Sequence, residues 1–107
     1  MNQNELLKIG NKTFSNRLMV GTGKYSSSDI MINSIKNSEA EIVTVAVRRV
    51  KDMQKEDNLL KKIDWSKIWM LPNTAGCKNS EEAIRIALLG RELAKLSGQE
   101  NNNFVKL

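Results

Sequence analysis

Ile42-Val43-Thr44-Val45-Ala46-Val47 is the stretch on which the fold turns. It is nearly all β-branched and apolar on both alternating faces, the pattern of a parallel strand buried on both sides. Parallel strands need crossover connections, usually helical. The flanking sequence is therefore read for strands and helices in alternation.

Upstream, Leu6-Leu7-Lys8-Ile9 and Lys12-Thr13-Phe14 flank Gly10-Asn11, the pattern of a small hairpin. Arg17-Leu18-Met19-Val20 reads as a short buried strand that runs into a Gly21-Thr22-Gly23 loop. Ser26 or Ser27 can cap a helix through about Asn37, with Asp29 in its first turn where a negative charge suits the helix dipole. Downstream, residues 48–66 are polar and irregular, with a short helix expected near Glu56–Ile63. Ile68-Trp69-Met70-Leu71 is a third apolar strand, expected to stop at Pro72-Asn73.

The strongest helix follows. Asn79 is a good cap with Glu82 three residues on, and Gly98 is placed to end the helix. Ile86, Leu89, Leu93 and Leu96 recur at spacings of three, four and three and form one apolar side. Ala83, Ala87, Gly90 and Ala94 form an adjacent stripe of small residues. Gly90 in mid-helix costs ~1 kcal/mol relative to Ala, and close approach to a sheet accounts for it. Gln99–Asn103 reads as a polar linker, and Phe104-Val105-Lys106-Leu107 begins a fourth strand. A β-α-β-α-β-α-β order predicts a parallel sheet with right-handed crossovers. Stopping inside an apolar strand would leave an unprotected edge, so the chain is expected to be the amino-terminal part of a longer one.

At 107 residues the chain is the size of one domain. With 40% hydrophobic and 27% charged residues, one Pro and six Gly, it is neither collagen-like nor a Pro/Gly-rich disordered chain. No apolar run approaches the ~20 residues that span a bilayer, so no membrane association is expected. There is no His, and Cys77 is the single Cys. A structural zinc site and a Ser-His or Cys-His pair are thereby excluded from this chain alone. The net charge of +5 raises the question of an anionic partner. The basic residues are scattered, however, and five aromatics make no aromatic-and-basic stripe, so no nucleic-acid binding is expected.

Candidate motifs lie after the strands. Gly21-Thr22-Gly23-Lys24 fails as a phosphate loop, because Leu18 and Tyr25 stand where Gly and Ser/Thr are needed. It fails as a dinucleotide loop because Ser26 replaces the third Gly. What remains is a tight turn or a substrate-contacting loop. Asn73 and Thr74 could hydrogen-bond a ligand or simply form a turn. Cys77 has no partner for nucleophilic chemistry and reads as a small apolar side chain. Arg48 and Arg49 could hold a phosphate, but pairing with Asp52 or Glu56 at the surface is the simpler expectation.

Lys106 stands apart, inside an otherwise apolar strand. Alternation puts Phe104 and Lys106 on one face, Val105 and Leu107 on the other. Burial there would disfavour the ammonium and leave the neutral amine that imine formation with a ketone requires. The competing reading is an edge-strand Lys facing water.

Taken together, these segments resemble the thiazole synthases of bacteria and plastids, the ThiG family. The resemblance rests on LKIGNKTF (7–14 with Leu7 first), RLMVGTGKY (17–25), IVTVAVRRV (42–50), LPNTAGC (71–77) with EEAIR (81–85), and NNFVKL (102–107). It implies an α/β fold of the (β/α)8 TIM-barrel type, typically ~250 residues. Residues 1–107 would supply the amino-terminal hairpin, barrel strands one to three and the start of strand four, a truncated part of a single barrel domain. In such barrels the chemistry sits at the carboxyl ends of the strands.

The resemblance further implies that Lys106 forms a Schiff base with 1-deoxy-D-xylulose 5-phosphate. Sulfur would come from a thiocarboxylated sulfur-carrier protein, and dehydroglycine would supply the remaining carbon and nitrogen of the thiazole phosphate precursor of thiamin. No cofactor and no metal are implied. A homo-oligomer is implied at full length. The family's glutamate after the lysine would be residue 108, and the phosphate-gripping loops would also lie beyond residue 107, so residues 1–107 alone are expected to be inactive and partly molten or aggregating. The alternatives are a non-catalytic half-barrel and another Schiff-base barrel lyase or aldolase. With no transit-peptide pattern, the expected location is a plastid, by synthesis from its own Lys/Asn/Ile-rich genome, or else a bacterial cytoplasm.

Overall fold

The computed structural model describes residues 6–23, 27–49 and 59–107. Strands β1 (Leu7–Ile9) and β2 (Lys12–Phe14) pair antiparallel, with Ile9 opposite Lys12 across the two-residue turn. Gly10 occupies the left-handed region there at φ 58°, where a side chain would be strained. The hairpin read from Gly10-Asn11 is therefore present as expected.

Strands β3 (Met19–Val20), β4 (Ile42–Ala46) and β5 (Trp69–Asn73) form a parallel sheet in that order. Helix α1 (Ser28–Ser38) connects β3 to β4, α2 (Leu59–Lys62) precedes β5, and α3 (Ser80–Leu96) follows it. Lys106 adds a parallel bridge to Asn73 on the far side of β5. The mixed α/β architecture with a parallel sheet is thus as the alternation predicted.

β4 lies in the middle of the sheet because both its faces are apolar. Val43 and Val45 are fully buried on the helix side. Val43 packs with Met31 and Ile35 of α1, and Val45 with Met70 and Ala94 of α3. On the opposite face Ile42 and Leu71 pack with Phe14 of the hairpin, alongside Trp69 and Phe104. Phe104 meets Phe14 edge-on at 6.4 Å and Trp69 edge-on at 5.6 Å. Such pairs contribute about 0.5–1.5 kcal/mol each beyond area burial. Lys12 caps the cluster with its Nζ 4.4 Å from the centre of the Trp69 ring. The hairpin thereby covers the amino ends of the strands on the helix-free face.

Several boundaries differ from the sequence expectation. β3 is only two residues long, since the Leu18 N–H donates to Asn16 Oδ1 at 2.7 Å instead of to a ladder, in a turn that the Glu41 carboxylate holds by accepting from the Ser15 and Asn16 N–H groups. The strand beginning at Ile42 ends at Ala46, and Val47–Arg49 tightens into a 3-10 turn. Ser27, one of the two expected caps, accepts from the Ile30 N–H at the start of α1; Ser26 lies outside the described residues. α2 covers only Leu59–Lys62 of the helix expected at Glu56–Ile63, and Glu56 to Asn58 fall outside the described residues.

β5 runs through Pro72 to Asn73 and does not stop before them. The reason lies in the alternation of its backbone. Trp69 donates to Glu41 of the β4 side, so Met70 and Pro72 turn their polar groups to the other edge. There the Pro72 carbonyl accepts from Lys106, and the absent proline N–H costs no bond to β4.

α3 starts and ends as its sequence indicates. Asn79 Oδ1 accepts from the Glu82 N–H at 2.8 Å, while Glu82 reaches back to the Lys78 N–H. At the other end Gly98, at φ 94°, donates to Lys95 and Gln99 donates to Ala94, the paired bonds of a Schellman ending. The close approach to the sheet expected at Gly90 is present. The small stripe, with Gly90 and Ala94 buried, faces the sheet. Leu89 and Leu96 are exposed, and Ile86 and Leu93 are half-buried. A glycine and alanines let the helix axis approach the strands, which swings the leucine side to the flank.

The linker expected at Gln99–Asn103 is also different. Gln99 and Asn102 are buried, and their amides treat β5 as a neighbouring strand would. Gln99 Oε1 accepts from the Met70 N–H, and Asn102 Nδ2 donates to the Met70 carbonyl at 2.7 Å. Gln99 Nε2 also donates to the carbonyls of Trp65 and Ile68. Two side chains thus satisfy the edge of β5 before the backbone of Lys106 takes over.

Candidate active site

The parallel register lines up Ala46, Asn73 and Lys106 at the carboxyl ends of their strands, on the face away from the helices. Phe104, two residues before Lys106, packs in the cluster on that same face. This is the alternation read from the sequence, with Phe104 and Lys106 together. Thr74 N–H donates to the Lys106 carbonyl at 3.1 Å, and Lys106 N–H donates to the Pro72 carbonyl at 2.9 Å. These two bonds hold Lys106 directly beside Asn73.

The Lys106 side chain is exposed. Among the described residues no enclosure surrounds the amine, which faces water as the edge-strand reading has it. Its strand has a partner on one side only among the described residues, and Leu107 beyond it is 93% exposed.

Asn73 is half-buried, and its Oδ1 accepts from the Ala75 N–H at 3.1 Å. Among the described residues no acceptor takes the hydrogens of its Nδ2. The turn continues with Cys77 N–H donating to the Thr74 carbonyl. Cys77 is a free, half-buried thiol, and nothing in the structure gives it a nucleophile's partner among the described residues.

Arg48 ties this loop to β4. Its Nη1 donates to the Gly76 carbonyl, and its Nε lies 3.5 Å from Glu82 Oε1. A β-carbon on Gly76 would stand 2.7 Å from Arg48 Nη1, and Gly76 has φ 86°, so both contact and backbone favour glycine. The pairing expected of Arg48 or Arg49 with Asp52 or Glu56 falls on residues outside the described ones, as does the side chain of Arg49. The sequence carried no signal for Glu82 as the partner, since the pairing joins two different crossovers.

On the β3 side, buried Thr22 donates to the Thr44 carbonyl at 3.0 Å. A β-carbon on Gly21 would touch Thr44 Oγ1 at 3.5 Å. Gly21 and Thr22 are therefore docked on β4, and Lys24 to Ser26, through which the loop continues, lie outside the described residues.

A cleft of about 960 Å3 opens at the opposite, amino end, between the hairpin turn and residues 98–104. Asp64 lies on the turn at that end; the Ser66 hydroxyl and N–H both donate to it and hold its carboxyl below the usual range. Neither feature is near Lys106. Among the described residues no group of His, Cys, Asp or Glu could hold a metal ion, and no helix is long and apolar enough to cross a membrane.

Residues 8–107 match the family described as "Thiazole biosynthesis protein ThiG". The chain is 70% identical over 107 residues to a thiazole synthase of Prochlorococcus marinus subsp. pastoris (strain CCMP1986 / NIES-2087 / MED4), covering 100% of this chain and 40% of the relative. It is 72% identical over 101 residues to the thiazole synthase of Prochlorococcus marinus strain MIT 9301, covering 94% of this chain and 38% of that one. The chain thus spans about 40% of the length of the curated relatives it matches. A match over nearly every described element, hairpin to Lys106, leaves one assignment: this chain belongs to the ThiG family of thiazole biosynthesis proteins.

Proposed function

We propose that residues 1–107 form the lysine-bearing part of a thiazole synthase barrel. The observation that carries this reading is the register of Lys106 with Asn73 at the carboxyl ends of parallel strands, on the face the helices leave free. In this reading the sheet curves and closes with further strands into a (β/α)8 barrel, whose catalytic mouth lies at that end.

Lys106 attacks the ketone of 1-deoxy-D-xylulose 5-phosphate and forms an imine with loss of water. The imine acidifies the adjacent carbon, so a proton leaves it and the sugar rearranges. Sulfur enters from a thiocarboxylated sulfur-carrier protein, and dehydroglycine supplies the last carbon and nitrogen of the thiazole phosphate. Phosphate-binding groups lie in further strands and loops, and the complete protein assembles as a homo-oligomer. The relatives named above are cyanobacterial, which favours the bacterial-cytoplasm alternative over the plastid.

Residues 1–107 alone are inactive in this reading. Exposed Lys106 lacks the enclosure that shields an imine from water. The test is borohydride trapping with the ketose phosphate. A whole-length chimera, residues 1–107 continued by the remainder of a Prochlorococcus relative, should be labelled stoichiometrically at Lys106. The 107-residue chain should not be labelled. Labelling of the chimera at another lysine, or full labelling of a Lys106→Ala variant, would overturn the assignment.

A further inference from the structure

We infer that Asn73 is a second catalytic residue, whose Nδ2 donates a hydrogen bond to the ketone oxygen as the Lys106 amine attacks. The inference rests on the reading of Lys106 as the imine-forming lysine and adds a residue to that site.

Three observations support it. First, Asn73 and Lys106 are bridge partners, so their side chains leave the same face from strands ~4.8 Å apart. Second, the Asn73 amide is oriented. Its Oδ1 accepts from the Ala75 N–H, which leaves Nδ2 as the free donor, and no acceptor for Nδ2 exists among the described residues. Third, the neighbour of Asn73 on β4 is Ala46, too small to fill the space over the row or to compete as a donor. The Arg48 bond to the Gly76 carbonyl holds the loop that begins at Asn73. A pre-oriented donor next to an attacking amine is the arrangement that stabilises charge developing on an oxygen.

The nitrogen lone pair of Lys106 forms the C–N bond, and the carbonyl π pair moves onto oxygen. Nδ2 of Asn73 stabilises that oxygen while it takes a proton and the nitrogen gives one up through water, leaving a carbinolamine whose nitrogen has its lone pair again. The hydroxyl then takes a second proton and leaves as water, and the nitrogen lone pair forms C=N. Asn73 keeps its own hydrogens throughout.

The test uses the whole-length chimera and the rate of borohydride-trapped imine formation at saturating 1-deoxy-D-xylulose 5-phosphate. Asn73→Asp keeps the acceptor for Ala75 but loses the donor. Asn73→Ser keeps a shorter donor and acceptor, and Asn73→Ala loses both. The expected result is a loss of about 100-fold for the Asp and Ala variants, and a smaller loss for Ser. Binding of the ketose phosphate, read by equilibrium dialysis, should change by less than about threefold. Exchange protection of the Ala75 amide in Asn73→Asp verifies that the turn survives. If Asn73→Asp forms imine at the parent rate, Asn73 serves only the turn and the inference falls. If the parent chimera forms no imine at Lys106, the proposed function falls, and this inference with it.

Discussion

Gly90 of α3 lies against Pro72 of β5 so closely that a β-carbon built on it would stand 2.6 Å from the proline Cβ. It would also stand 3.2 Å from Val47 Cγ2. The helix rests on the strand through this contact, one residue before Asn73. The proline ring cannot rotate away as a flexible side chain could, so its bulk sets the helix position.

Gly90→Ala should therefore destabilise the protein although alanine favours helix. The propensity gain is ~1 kcal/mol, and overpacking typically costs ~1–3 kcal/mol. A net loss of about 1 kcal/mol is expected from these opposing effects. The urea midpoint of the whole-length chimera measures it, and a raised midpoint would show that the contact relaxes freely.

Gln99→Leu should cost about 3 kcal/mol, because it strips a partner from the Met70 N–H and the Trp65 and Ile68 carbonyls together. Hydrogen exchange at the Met70 amide should speed up accordingly. An unchanged exchange rate there would show that water replaces the amide at no cost.

Arg48→Lys should change stability by less than ~1 kcal/mol, since Arg48 is 41% exposed and its ion pair is weak. Its effect should appear instead in the loop. A lysine cannot bond the Gly76 carbonyl and Glu82 in one planar fork. Amide exchange at Cys77 is expected to rise several-fold, and imine trapping in the chimera to slow. Parent-like exchange at Cys77 would mean that the loop holds its own shape.

Asp64 makes an acid-dependent contribution. Its carboxyl is held below the ordinary ~3.9 by the two Ser66 bonds, with Lys67 assisting. A depressed carboxylate stabilises the fold above its unfolded value, and that stabilisation is lost as pH falls through the folded one. Acid titration of the turn below about pH 4 should thus show a component that Asp64→Asn abolishes. NMR titration of the Ser66 amide reads it directly, and a midpoint at or above the ordinary value would contradict the assignment.

Much of the fold was legible because its signals are local. Gly10 makes a turn wherever it stands, and Asn79 with Glu82 caps a helix within one turn of chain. The β-branched run at Ile42 declares a strand covered on both faces. The strand through Pro72 was not legible, since whether a proline is tolerated depends on which edge its missing N–H faces. In α3, Gly90 in mid-helix already pointed to close approach to the sheet, whereas the exposure of Leu89 and Leu96 on the flank was decided by packing.

For the site, alternation within four residues already placed Lys106 opposite Val105 and Leu107, and the composition excluded a histidine supplied by residues 1–107. Those are properties of covalent spacing and residue inventory, which any fold must respect. The pairing of Lys106 with Asn73, the bridge from Arg48 to Gly76 and Glu82, and the amide pair that stands in for a strand at Met70 were decided by tertiary structure alone. Each joins residues well separated along the chain, and only the packed fold brings them within hydrogen-bonding reach.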